Sequence, residues 1–135
     1  MPNTAAKLVS EFVGMALLAC VVVGSGIMGT NLSTDPGVAL LINTISTIFA
    51  LAILILILGP ISGAHFNPLV TVISYLRKEL SLVNTFWFLV AQVLGGSFGA
   101  ILANLMFEYP AIDPSQKARD GAHLFLGEVI ASAGL

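Results

Sequence analysis

The sequence predicts an all-α membrane protein: three transmembrane helices, a re-entrant half-helix and the start of a fourth span. Three observations carry this. Hydrophobic residues make up 57% of the 135 and charged residues 9%, with a mean hydropathy of +1.00, whereas a soluble domain usually carries about 25% charged residues. The five basic and seven acidic residues leave long stretches empty: none lies between Glu11 and Asp35, between Asp35 and Arg77, or between Leu80 and Phe107. The second of these stretches ends in a segment that is apolar yet interrupted by Gly and Pro.

Taken in order, the first span covers about residues 6–29. Lys7 ahead of an apolar run resembles the start of a secretory leader, but the run from Phe12 to Met28 has no convincing small-residue cleavage site and further spans follow, so a retained helix is expected. The turn-rich residues 30–37 (Asn31, Ser33, Asp35, Pro36) close it. The second span, about 37–58, has roughly 22 residues, or about 33 Å at 1.5 Å each, enough for a hydrocarbon core of about 30 Å. The third covers about 82–106. The linker 108–121 then holds five of the twelve charges. A last apolar stretch, 122–135, is roughly 14 residues or about 21 Å, short of a full crossing.

The segment at about 59–77 is broken by Gly59, Pro60, Gly63 and Pro68. Irregular backbone cannot face lipid, since each unpaired amide or carbonyl costs several kcal/mol there, so this stretch lies outside the membrane or lines a protein-walled cavity. Asn67-Pro68 favours the second. Proline at a first helical position wastes no amide hydrogen, and the Asn oxygen can cap an amide two or three residues on. The helix so opened, about 68–76, spans about 14 Å, half the core, and ends at Arg77 and Lys78, which suit both a water interface and the negative end of a helix dipole.

The string Ile61-Ser62-Gly63-Ala64-His65-Phe66-Asn67-Pro68-Leu69-Val70-Thr71 resembles the first signature loop of the aquaporin and glycerol-facilitator family. Glu11-Phe12-Val13-Gly14 is similar to that family's first-helix motif and Ala91-Gln92-Val93-Leu94-Gly95-Gly96 to its third-helix motif. The resemblance implies one repeat of an aquaporin-like inverted-repeat fold, with residues 1–121 as the first repeat and 122–135 as the truncated start of the second. It also implies that the carbonyls of Gly63, Ala64 and His65 form an acceptor ladder, that Asn67 and Pro68 mark the pore midpoint, and that the full-length protein is a homotetramer. Leu69 stands where Ala is commonest. The family's constriction position on the second helix maps to Ile42, where water-selective members typically have Phe; a smaller residue leaves room for glycerol, urea or a neutral metalloid hydroxide.

An internal symmetry is independent of that signature. Ser10-Glu11-Phe12-Val13-Gly14 and Gly127-Glu128-Val129-Ile130-Ala131 share a membrane-embedded Glu at an offset of 117 residues, with an odd number of crossings between them, so a second copy inserts inverted. Glu11 is expected to brace the irregular loop by accepting from its amides, and Glu128 to occupy the matching position. Asn67 either merely caps a helix or, with its amide hydrogens left free, donates to a permeating oxygen. Gly95, Gly99 and Ala103 form a small-residue stripe suited to close helix packing. Asn43, Ser46, Thr47 and Ala50 share one face of the second span, turned toward another helix or toward the channel.

Other classes find little support. No nucleophile and base pair, phosphate-binding glycine loop or metal-spaced His/Cys set is evident, so no enzyme, metal or cofactor is expected. A net charge of -2 without a basic cluster argues against nucleic acid, and the lone Cys20 forms no intrachain disulfide. The expected function is a passive channel for water or small neutral solutes, present as an N-terminal half that needs a second repeat or another copy to complete its pore; the alternative is a non-conducting truncated fragment. The chain is expected in the cell inner or plasma membrane, with Lys7, Arg77 and Lys78 on the cytoplasmic side and Asp35 and the 108–120 loop, including Lys117 and Arg119, outside.

Overall fold

The computed structural model describes residues 3–114 and 120–134, and the expectations placed on Lys117 and Arg119 lie outside those residues. Among the described residues five helices follow one another: α1 (Thr4–Leu32), α2 (Pro36–Ser62), α3 (Pro68–Leu76), α4 (Leu82–Met106) and α5 (Ala122–Ala133). Of these, α1, α2 and α4 are long and apolar enough to cross a membrane.

Each start has a local cause. The Asn3 side chain accepts from the Ala6 amide at 2.8 Å, so α1 begins ahead of the expected residue 6. Asp35 Oδ1 accepts from the amides of Gly37 and Val38 (2.7 and 3.3 Å) and opens α2 with Pro36 at its first position. Ser81 caps α4 through the Asn84 amide. The turn expected at 30–37 shrinks to residues 33–35, because α1 continues until the Ser33 amide closes on the Gly29 carbonyl.

The second span requires a larger correction. It runs through Gly59 and Pro60 to Ser62, four residues beyond the expected end at 58. Proline removes one amide from the ladder, so the Leu56 carbonyl lacks its usual donor, yet the helix continues past it to Ser62. Termination falls instead to Gly63, whose φ of 96° is the left-handed conformation that glycine adopts without steric cost and whose amide bonds the Gly59 carbonyl at 2.9 Å. Irregular backbone is therefore confined to residues 63–67 rather than beginning at Gly59.

Helix α1 is the centre of the packing, touching both α2 and α4, while α3 rests on α4. Contacts set the directions. Gly29 meets Ala39 and Ser10 meets Ser62, so α2 runs antiparallel to α1. Gly95 meets Phe12 and Gly99 meets Ala16, so α4 runs parallel to α1. A β-carbon on either of these glycines would overlap the carbonyl oxygen of its partner on α1, so the small-residue stripe is what lets two backbones touch. Asn43 Nδ2 donates to the Val22 carbonyl (2.7 Å) and to Ser25 Oγ (3.1 Å), turning this part of the polar face of α2 toward α1.

With three crossings, Asn3 and the 77–81 turn share one side and residues 33–35 and 107–114 the other. In a Cys20→Ser background, cysteine placed at Glu79 should label with an impermeant reagent only from the cytoplasmic face, and cysteine at Ile112 only from outside. Labelling of position 112 from the cytoplasm alone would reverse the assigned orientation.

Candidate functional site

The site is the break between α2 and α3. Glu11, with 0% of its surface exposed, accepts four hydrogen bonds: Oε1 from Ser62 Oγ (2.6 Å) and the His65 amide (3.0 Å), Oε2 from the Phe66 amide (2.9 Å) and Gln92 Nε2 (2.8 Å). Ser62 Oγ in turn accepts from the Ala64 amide at 3.1 Å and from Ser10 Oγ at 3.2 Å. Three successive amides, 64 to 66, thus converge on one buried acid and the serine it holds. This concave run of amides requires unusual backbone, and Ala64 and Phe66 supply it at φ 50° and 42°, a region that non-glycine residues enter only under constraint.

Two packing contacts supply the constraint. The Phe66 ring is 4% exposed and fills the space above Gly14, where any β-carbon would overlap it. The His65 ring lies 5.3 Å from that of Phe88 and brings Nδ1 to 3.0 Å from Thr71 Oγ1. Thr71 is itself fully buried and takes a hydrogen bond from Gln92 Nε2 at 2.9 Å.

The inward amides determine where the carbonyls go. Among the described residues every peptide is trans, and a trans peptide holds its C=O opposite its N–H. With the amides of 64, 65 and 66 aimed at Ser62 and Glu11, the carbonyls of Gly63, Ala64 and His65 point away from them. On the N-terminus of α3, Asn67 Oδ1 accepts from the Leu69 amide at 2.8 Å, and Nδ2 has no partner among the described residues. A groove of about 250 Å³ opens beside these groups, lined by Ala64, His65 and Asn67 and by apolar Leu18, Leu51 and Ile55. The positive end of the α3 dipole lies at Pro68, worth about half an elementary charge.

Other residues singled out in the sequence lie apart. Ile42 is half-buried near the start of α2 and does not line this groove. Glu128 is exposed on α5 and shares a separate cavity of about 400 Å³ with Leu69 and Ile73. Among the described residues no group of three His, Cys, Asp or Glu side chains is placed to hold a metal. Sequence reasoning missed Gln92 and Thr71 as hydrogen-bonding members of the loop's support and Phe66 as its apolar anchor. Gln92 left a signal: it is the one uncharged amide in the apolar run between Asn84 and Asn104.

The Major intrinsic protein (MIP) family matches residues 2–132. Aquaglyceroporin AqpS of Rhizobium meliloti (strain 1021) is 44% identical over 129 residues, which are 96% of this chain and 55% of that protein. Aquaporin NIP1-1 of Arabidopsis thaliana is 33% identical over 106 residues, 75% of this chain and 33% of its own length. Nodulin-26 of Glycine max is 32% identical over 104 residues, again 75% of this chain and 36% of its own. The chain spans about half the length of the first of these relatives and about a third of the other two. With a family match over nearly its whole length and three apolar helices of spanning size, the chain is an integral membrane protein and belongs to the major intrinsic protein family.

Proposed function

We propose that the chain supplies one wall and one half-helix of a passive transmembrane channel for water or small neutral solutes such as glycerol, urea or a metalloid hydroxide. The observation that carries this reading is Asn67: its oxygen is spent on the Leu69 amide while its Nδ2 hydrogens, beside a groove, have no partner among the described residues. A donor at Asn67 and carbonyl acceptors at Gly63, Ala64 and His65 replace the hydration that a neutral solute leaves behind, and the α3 dipole opposes cations. In this reading Pro68 fixes the helix start at the pore midpoint, Leu69 lies just past it, and Ile42 forms part of a wider constriction nearer the outer face. Glu11 braces this loop; Glu128 is the corresponding brace for a loop in a second repeat.

A single half-helix gives half of the field and one wall, so a complete pore takes a second repeat or another copy of the chain. The outward faces of α2 and α4 carry large apolar side chains, among them Leu56, Ile57, Phe86 and Val93, which fit lipid or a neighbouring subunit in the homotetramer inferred from family likeness. The test joins residues 1–135 to the second half of the Rhizobium meliloti relative, reconstitutes the chimera in vesicles and follows stopped-flow light scattering, with the intact relative as control. The chimera should pass water or glycerol, and Asn67→Leu should reduce the flux at least ten-fold. The chain alone should not exceed empty vesicles. A folded chimera that conducts nothing would refute the channel reading, and a conducting lone chain would refute the need for a second wall.

A further inference from the structure

Thr71 Oγ1 has three polar neighbours and one proton: Gln92 Nε2 at 2.9 Å, His65 Nδ1 at 3.0 Å and the Asn67 carbonyl oxygen at 3.2 Å. Their directions can be worked out in turn. Gln92 Nε2 also donates to Glu11 Oε2, so the glutamine turns its amino group to this cluster, and its second hydrogen goes to Thr71. The Asn67 carbonyl can only accept. His65 Nδ1 alone can act either way.

If the threonine proton went to Nδ1, the cluster would hold two hydrogen bonds and the Asn67 carbonyl would receive nothing from the hydroxyl. If it goes to that carbonyl, Nδ1–H donates into the remaining lone pair of Oγ1 and the cluster holds three. One additional neutral hydrogen bond favours the second arrangement roughly five-fold. A turn of the ring would bring Cδ2 to Thr71 and forfeit the contact, and the neighbouring Phe88 ring fixes the plane.

We propose that Thr71 and Gln92 are positioning residues that hold neutral His65 as its Nδ1–H tautomer, so that the Nε2 lone pair stands on the groove wall as an acceptor for an O–H or N–H of a small neutral solute. Nε2 has no partner among the described residues. The ring edge that carries it faces Gly63, where a β-carbon would come within 3.3 Å of both Nε2 and Cδ2, so the missing side chain leaves this edge uncovered. Beside the backbone carbonyls, His65 then adds a side-chain acceptor, and the donor Nδ2 of Asn67 stands two residues away on the same groove. The use of this acceptor by a solute rests on the channel reading above; the tautomer does not.

Nitrogen NMR of the chain, labelled with ¹⁵N-histidine and carrying His123→Gln, in lipid nanodiscs at alkaline pH reads the tautomer directly. His65 should show a protonated Nδ1 and an unprotonated Nε2. Thr71→Ser should preserve that pattern, and Thr71→Val should shift the ratio toward Nε2–H by roughly five-fold or more. A predominant Nε2–H form in the parent chain overturns the proposal even if no variant folds, as does a tautomer ratio unchanged in Thr71→Val. Loss of conduction by the chimera with the Nδ1–H form intact would remove the solute and leave the positioning role standing.

Discussion

Gly99→Ala should separate α1 from α4 and give the largest loss of stability of any single methyl added to this chain. Its β-carbon would overlap the Ala16 carbonyl oxygen and come to 2.8 Å from the Ala16 carbonyl carbon. Both atoms are helix backbone, which has no rotamer to escape into, so the two helices must part along the seam that also buries Gly95 and Ala103. Overpacking of this kind costs about 1–3 kcal/mol and more where backbone is the obstacle. The matched control is Gly127→Ala on α5, where nothing lies within 4 Å and the change should stay within about 0.5 kcal/mol. Thermal unfolding in detergent compares them, and a Gly99→Ala protein as stable as its parent would show that the α1–α4 contact is not as close as described.

Glu11→Leu should be nearly as damaging, and Glu11→Gln should fall between it and the parent. Leucine removes the acceptor for two backbone amides, a serine hydroxyl and a glutamine amino group at once. The serine can turn toward Ser10, but the His65 and Phe66 amides cannot turn away, and each unpaired buried donor costs about 1–3 kcal/mol. Glutamine keeps one oxygen, enough for part of the set, while its own amino group faces the remaining donors. The expected order of melting temperatures is parent, then Gln, then Leu, and equal values for the two variants would exclude Glu11 as the support of residues 64–66.

Long elements were legible in the sequence because lipid imposes a simple rule on them. The third span, about 82–106, coincides with α4, since Ser81 supplies a cap and the apolar run is unbroken. The half-helix was legible for a different reason: Asn67-Pro68 sets its start by local chemistry alone. Pro60 misled, because a proline in a final helical turn looks the same in sequence as one that breaks a helix, and only the left-handed Gly63 marks the true end. Within the site, an acid in an apolar helix suggested a partner in the irregular loop, and Glu11 accepts from two of its amides. Gln92, 81 positions away, could not be paired with it without knowing that α4 runs parallel to α1.

That sequence separation has a bearing on how the chain is made. The partners of Glu11 begin at Ser62 and end at Gln92, 51 to 81 residues downstream. At a synthesis rate of about 5–20 residues per second, roughly 3–10 s separate Glu11 from Ser62 and roughly 4–16 s separate it from Gln92. An acid at the centre of a span costs about 2.5–3.5 kcal/mol on insertion scales; Glu11, the eighth of the 29 residues of α1, lies toward one end, where the cost is smaller, and the seventeen uncharged residues from Phe12 to Met28 offset it. During that interval the ribosome-bound intermediate carries Glu11 without its later partners. Gln92 on α4 supplies the last of the four hydrogen bonds to Glu11, so the support of the 63–67 loop is complete only once the third span has been made.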